Sequence, residues 1–176
     1  MNTEERIAYH RRLAEGYHEA YVKRAELGRV VYPPEWRIAK DAYYFSPYYG
    51  SGEMGSFMAE AEYSTDDAVD AEGIVYSAAF PDWGPSEFMC WPSVDGVAFR
   101  SKFEGTAADG TRMSFWACDF VLTNAEGEVT RWETHVDSEA FNKVAEIAVG
   151  VRGPFADMRV YWAALHKKLA ELLHHA

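Results

Sequence analysis

Two side chains in the second half of this chain have the chemistry of proton carriers. His135 stands near the end of Glu128-Val-Thr-Arg-Trp-Glu-Thr-His-Val-Asp137, and an imidazole, with an ordinary pKa of about 6.5, both gives and takes a proton at neutral pH. Asp119 interrupts the apolar run Phe115-Trp-Ala-Cys-Asp-Phe-Val-Leu122, where a carboxylate is costly to bury unless it is paired or used. Arg100 and Lys102 are the cations on a neighbouring predicted strand that could pair with it. Such a pair would be structural, whereas an Asp119 without one would be available for catalysis. Strand alternation places Arg131, Glu133 and His135 on one face and Thr130, Trp132, Thr134 and Val136 on the other. If the first set looks inward, His135 and Glu133 belong to a site. If Trp132 looks inward, His135 is an outer or interfacial histidine.

Phenols and indoles surround these candidates. Tyr44 and Tyr48 can hold a substrate oxygen or pack as plain rings, Tyr21 and Tyr49 can reach a ligand, and Met89, Trp91 and Trp116 can wall a pocket or fill a core. Aromatic residues make up 15% of the chain, and tyrosine occurs 11 times. A flat apolar body with one polar handle suits a pocket for ring-bearing ligands as well as a β-rich core.

The formal charge of −11 argues against nucleic acid, whose phosphates require a basic surface, and against anionic membranes. No apolar run is long enough to span a bilayer, and the first residues lack the apolar segment of a signal peptide. With Cys90 and Cys118 alone, a disulfide framework is not expected, and a cytoplasmic location is. No glycine-rich phosphate loop follows a strand. His10, His18, His166, His174 and His175 show no metal-ligand spacing and read as solvated residues, so neither metal nor organic cofactor is expected.

The elements that would position these groups follow from periodicity. Tyr9, Leu13, Tyr17 and Tyr21 recur on one face of a predicted helix over residues 3–27, which Gly28 can end. A helical turn over Glu35 to Lys40, a strand from Asp41 to Gly50 broken at Pro47, and a loop over 50–64 come next. A short helix over Thr65 to Ala71 leads to Phe80-Pro81-Asp82. Glu87 to Ser93 and Val97 to Gly105 read as paired strands, and residues 111–137 as a long hairpin turning through Thr123-Asn-Ala-Glu-Gly127. Asp137 or Ser138 then caps a helix reaching Val149. A last helix over Phe155 to His174 carries Met158, Tyr161, Trp162, Leu165, Leu169 and Leu172 at helical spacing. No linker or repeat divides the chain, so residues 1–176 form one α+β domain with a curved antiparallel sheet.

Taken in order, Phe80-Pro81-Asp82, Phe103-Glu104-Gly105-Thr106, Glu126-Gly127-Glu128-Val129, Trp132 and Asp137 resemble the SnoaL-like branch of the nuclear-transport-factor-2-like superfamily. The resemblance covers about residues 5–150 and implies a conical half-barrel around a pocket, with 151–176 as a helical extension that covers the pocket or builds an interface. It departs from the family after Thr106, where Ala107-Ala108-Asp109-Gly110 stands in place of a frequent histidine. The tyrosine-rich Tyr43-Tyr44-Phe45-Ser46-Pro47-Tyr48-Tyr49 is also similar to bacterial diarylpropane lyases that release formaldehyde from lignin-derived dimers. That likeness implies a cofactor-free lyase on a small hydroxylated aromatic substrate. In it His135 and Asp119 transfer protons, Arg100 and Tyr44 stabilise negative charge, and Tyr48, Trp91 and Trp116 hold the rings, with Tyr21, Tyr49, Met89 and Lys102 as further contacts. A polyketide cyclase, dehydratase or ketosteroid-type isomerase, or a non-catalytic binding or scaffold protein, remain the other expectations from the same fold. A homodimer or homotrimer is the expected assembly.

Overall fold

The computed structural model describes residues 1–27, 30–48, 50–53, 65–155 and 157–174. Gly28, Tyr49, His175 and most of the loop read over 50–64 lie outside them. Helix α1 (Thr3–Val22) begins where Asn2 and Glu5 cap one another, the Glu5 N–H donating to Asn2 Oδ1 at 3.0 Å and the Asn2 N–H to Glu5 Oε2 at 2.7 Å. Its inner face buries Tyr9, Leu13, Tyr17 and Tyr21 as the spacing predicts, and a one-turn helix α2 (Arg24–Leu27) follows. Helix α3 spans Thr65–Ala79, about two turns beyond the predicted end at Ala71. Helices α4 (Ser138–Val149) and α5 (Met158–His174) close the chain. No helix among the described residues is long and apolar enough to cross a membrane.

The six strands are β1 (Ile38–Ser46), β2 (Gly50–Glu53), β3 (Gly84–Pro92), β4 (Gly96–Thr106), β5 (Arg112–Thr123) and β6 (Val129–Val136). Their order is β2-β1-β6-β5-β4-β3. The sheet is mixed where a wholly antiparallel one was expected, because β1 runs parallel to β6 while every other pair is antiparallel. Residues 35–40 also differ from expectation. The Trp36 N–H donates to Pro33 O in a turn at Pro34 and Glu35, after which the Val129 N–H donates to Arg37 O and Ile38 pairs with Val129, so the ladder with β6 draws Ile38 to Lys40 into β1 in place of a longer helical turn. Register shifts in β1, β3 and β5 bend the sheet, as an extra residue in one strand of a pair does. Helix α1 lies against β3 and β4, α4 against β5, and α5 against α3. The result is an unclosed α+β half-barrel with helices on its inner face.

The long hairpin forms as its sequence predicts, and Asp137 caps α4 by accepting from the Ala140 N–H at 3.2 Å. Its turn also anchors α1. The Tyr9 hydroxyl donates to Gly127 O at 2.7 Å and lies 3.0 Å from Glu35 O. His10, expected at the surface, is fully buried. Its Nδ1 lies 2.7 Å from Ser93 O and its Nε2 2.7 Å from Thr123 Oγ1, so it ties the helix to two strand turns. His166 is buried as well, because α5 turns that side chain inward. Gly127 adopts φ +81°, and a Cβ there would stand 3.0 Å from the Tyr9 hydroxyl oxygen. Gly127→Ala should therefore cost about 1–2 kcal/mol in the left-handed backbone conformation alone, before any displacement of Tyr9. Urea denaturation measures this, and an unchanged midpoint would remove the strain argument.

Candidate functional site

Burial along β5 alternates so that Phe115, Ala117, Asp119 and Val121 face the helices. Asp119 is 1% exposed. Its Oδ1 accepts from Trp132 Nε1 at 2.7 Å and from Thr134 Oγ1 at 2.6 Å, both on β6. Its Oδ2 is buried with no hydrogen-bond partner. The expected ion pair with Arg100 or Lys102 does not form, because strand parity puts both cations on the opposite face. Arg100 lies 4.7 Å over the Trp116 ring, and Lys102 stands 3.6 Å from Glu87 and 3.5 Å from Glu104. Burial drives the Asp119 pKa up to about 6, and the bonds from Thr134 and Trp132 oppose that rise only in part.

A second carboxyl group enters the same interior from α3. Glu72 Oε1 accepts from the Tyr161 hydroxyl of α5 at 3.1 Å, and Tyr161 lies 2.9 Å from the Tyr76 hydroxyl. The Tyr21 hydroxyl approaches Glu72 Oε2 at 3.5 Å and the Tyr32 hydroxyl at 3.3 Å. Burial raises the Glu72 pKa to about 7, with the negative charge of Asp119 adding to the effect. Of two interacting carboxyl groups, Asp119 is thus the readier to ionise and Glu72 the readier to keep its proton, an arrangement suited to paired base and acid roles. Among the described residues neither Glu72 nor Asp119 is paired with a lysine or arginine, while the buried Arg24 guanidinium, which donates to Gly73 O at 3.4 Å, interacts electrostatically with the Tyr21 phenol.

Aromatic rings complete the walls. Tyr17 lies 5.4 Å from Tyr32, 5.3 Å from Trp36 and 5.9 Å from Trp132, centroid to centroid. Trp36 stands edge-on to Trp132 at 5.1 Å, and Tyr44 packs on the same indole at 5.8 Å. Tyr32, Glu72 and Trp132 are each only partly buried. The Trp36 Nε1 is buried without a partner, the indole counterpart of Asp119 Oδ2.

The two possible orientations of β6 are now resolved: Trp132 and Thr134 look inward. His135 lies on the outer face between Phe45 and Phe120, with its Nε2 3.8 Å from Glu133 Oε2. Met89 and Trp91, 47% and 50% exposed, share that outer face with Trp116, Arg100 and Lys102. None of these six residues reaches the interior. Tyr21 and Tyr44 do, with Tyr44 buried and hydrogen-bonded towards Thr134 and Ser46. The buried Tyr48 hydroxyl is engaged elsewhere, donating to Asn142 Oδ1 at 3.1 Å and accepting from the Gly153 N–H at 3.2 Å. Tyr49 lies outside the described residues. Sequence reasoning passed over Glu72, Tyr76 and Tyr161. A signal was present, since Glu72 follows Ala71 and precedes Val75 and Tyr76 on an apolar helical stripe, where a carboxylate is out of place. Among the described residues, no three His, Cys, Asp or Glu side chains gather as a metal would require.

No family model and no curated protein matches the chain. Solved structures do align with it. An NTF2-like protein from Burkholderia thailandensis E264 is 11% identical, with a TM-score of 0.48 over 82% of this chain and 98% of that one. A protein from Jannaschia sp. CCS1, provisionally described as a SnoaL-like polyketide cyclase, is 11% identical, with a TM-score of 0.47 over 83% and 92%. A steroid delta-isomerase from Pseudomonas aeruginosa is 13% identical, with a TM-score of 0.43 over 99% and 98%. At these identities the likeness concerns overall fold and assigns no activity.

The two raised carboxyl groups set a pH dependence of stability. The folded state holds protons that the unfolded chain releases, on Asp119 between its ordinary pKa of 3.8 and about 6, and on Glu72 between 4.5 and about 7. Stability therefore falls as pH rises through these windows, by roughly 3 kcal/mol for each group. Urea denaturation at pH 4 and pH 8 should show this loss in the wild type and a much smaller one in Glu72→Gln/Asp119→Asn. Equal losses in the two proteins would contradict the placement of these groups.

Proposed function

We propose that the chain is a cofactor-independent acid–base enzyme acting on a small, neutral, hydroxylated aromatic substrate. The observation that carries this reading is the buried, unpartnered Oδ2 of Asp119, set among aromatic rings beside a second carboxyl of higher pKa. Leaving a buried acceptor unsatisfied costs about 1–3 kcal/mol, a cost that a reacting hydroxyl would relieve. Asp119 takes the role of base, and Glu72, in hydrogen-bond contact with Tyr161 and through it Tyr76, the role of acid. Tyr44 supports the site next to Thr134. These assignments replace His135 and Arg100, which sit on the outer face.

The favoured reaction is deformylation of a para-hydroxylated 1,2-diarylpropane-1,3-diol. Glu72 gives a proton to the benzylic hydroxyl, which leaves as water while the phenol releases its proton to solvent water, so that a quinone methide forms. Asp119 then takes the terminal O–H proton. The electron pair of that bond makes the carbonyl of formaldehyde, the adjacent carbon–carbon bond breaks, and its electrons form the stilbene double bond and restore the phenolate. Pre-positioned groups of this kind supply several of the 8 or more kcal/mol by which enzymes typically lower a barrier, roughly 10²–10⁴-fold in rate for a general acid or base. The same pair suits an isomerase or cyclase that shifts one proton between carbon and oxygen.

Incubation with a diaryl diol, a ketosteroid and a polyketide ester, without added cofactor, tests the reading. Stilbene absorbance with equimolar formaldehyde is the expected result, with turnover falling at least a hundredfold in Asp119→Asn and in Glu72→Gln and persisting in His135→Ala. Turnover lost in His135→Ala but kept in Asp119→Asn would overturn the assignment. Saturable binding with no turnover of any substrate would mark a binding protein.

We also propose that a second copy of the chain covers the outer face of the sheet. Met89, Trp91, Phe120 and Leu122 are 44–50% exposed there, an apolar surface of the kind that marks interfaces. Lys102 with Glu87 and Glu104, and Arg131 with Glu133, balance charge on that face. On a chain of net charge −11, it is where two copies meet with least repulsion. Sedimentation should give a dimer for the wild type and a folded monomer for Phe120→Asp. A monomeric wild type would refute the contact.

A further inference from the structure

Among the buried polar atoms without a partner, which include His18 Nδ1, Arg24 Nε and Ser101 Oγ, two lie beside one indole and differ in kind. Asp119 Oδ2 can accept a hydrogen bond, and Trp36 Nε1–H can only donate one. Both belong to side chains more than nine-tenths buried, Asp119 at 1% and Trp36 at 8% exposed. A single indole connects them. Trp132 donates to Asp119 Oδ1 at 2.7 Å and meets the Trp36 ring edge-on at 5.1 Å, while Tyr17 touches both indoles. Trp132 and the neighbouring Tyr32 are each only partly buried. The large majority of buried polar groups in native interiors are hydrogen-bonded. Two unpartnered groups of complementary sense beside one ring amount to an empty recognition position.

The chemistry of the pair restricts what fills it. A carboxylate or phosphate could accept from Trp36 but would face Asp119 and Glu72, neither of which is paired with a lysine or arginine among the described residues. An ammonium could donate to Asp119 but offers Trp36 nothing, because it has no acceptor. A ketone can accept only. An alcohol or phenol does both at one oxygen.

We propose that Trp36 and Asp119 together form a hydroxyl-recognition site, in which one ligand oxygen accepts from Trp36 Nε1–H and donates to Asp119 Oδ2, and which rejects the corresponding carboxylate. This rests on the reading of the interior as a ligand site and names its substrate class and a specificity residue, Trp36. Trp36 acts here in binding alone, and Asp119 is the group shared between recognition and proton transfer.

The test uses the intact chain and three probes of one shape: 2-naphthol, naphthalene and 2-naphthoate, titrated calorimetrically at pH 7. The wild type should bind 2-naphthol at least tenfold more tightly than naphthalene and bind 2-naphthoate most weakly. Trp36→Phe, which keeps an aromatic ring and removes the N–H, should weaken 2-naphthol about fivefold or more and leave naphthalene unchanged. Near-ultraviolet circular dichroism checks that the variant is folded. Asp119→Asn provides a second arm, with the same selective loss expected for 2-naphthol. Equal binding of 2-naphthol and naphthalene, no binding of any probe, or a Trp36→Phe protein with unaltered preference would each overturn the proposal. The outcomes separate from those of the catalytic reading. Turnover that depends on Asp119 without hydroxyl preference sinks only this site, and hydroxyl preference without turnover of any substrate sinks only the enzyme.

Discussion

Two carboxyl groups share one aromatic interior in which, among the described residues, neither is paired with a lysine or arginine, and much of the architecture answers that electrostatic constraint. Asp119 holds Trp132 and Thr134 on the neighbouring strand through one oxygen. Glu72 receives the Tyr161 hydroxyl, which in turn meets Tyr76. These bonds connect β5 to β6, and α3 to α5, across what would otherwise be plain apolar contacts. They satisfy the carboxyl groups incompletely, so burial still leaves both with raised pKa values. A protein that needed only stability would replace such a pair with well-packed apolar side chains at little loss.

Helix α1 meets two different demands along its length. Near its start, Tyr9 and His10 bond to the strand turns around Gly127, Ser93 and Thr123 and fix the helix to the sheet. Two turns on, Tyr17 and Tyr21 present rings and hydroxyl groups to the interior that holds the carboxyls. The rigid end thus positions the chemically active end. In the same way α5, which the resemblance left as either a cover or an interface, contributes Tyr161 to the interior through Glu72 and packs Leu165 into the core.

How far the site could be read beforehand depended on what kind of signal each residue gave. The hairpin, the Asp137 cap, the inner tyrosines of α1 and the oddity of Asp119 in an apolar strand were all legible, because capping, period and the cost of burying charge act locally. Trp91, Trp116 and Met89 were misplaced for a different reason. A large apolar residue on a strand fits an inner wall or an outer face equally well, and only the sheet's orientation separates them. Residues 38–40 went the same way: the paired prolines permitted a helical turn, but beyond a turn at Pro34 and Glu35 pairing with Val129 stabilised a strand.

By itself the sequence determined the order and kind of the elements, one α+β domain, the buried carboxylate on β5 and the partition of β6 into two alternating sets, since each follows from local periodicity and side-chain chemistry. Only the tertiary structure decided which set looked inward. Turning Trp132 towards the helices placed His135 outside, kept Arg100 and Lys102 away from Asp119, and brought Glu72 and Tyr161 in from helices distant in the chain. That choice belongs to the packing of α1, α3 and α5 on one side of the sheet, a long-range condition that no local stretch of residues contains.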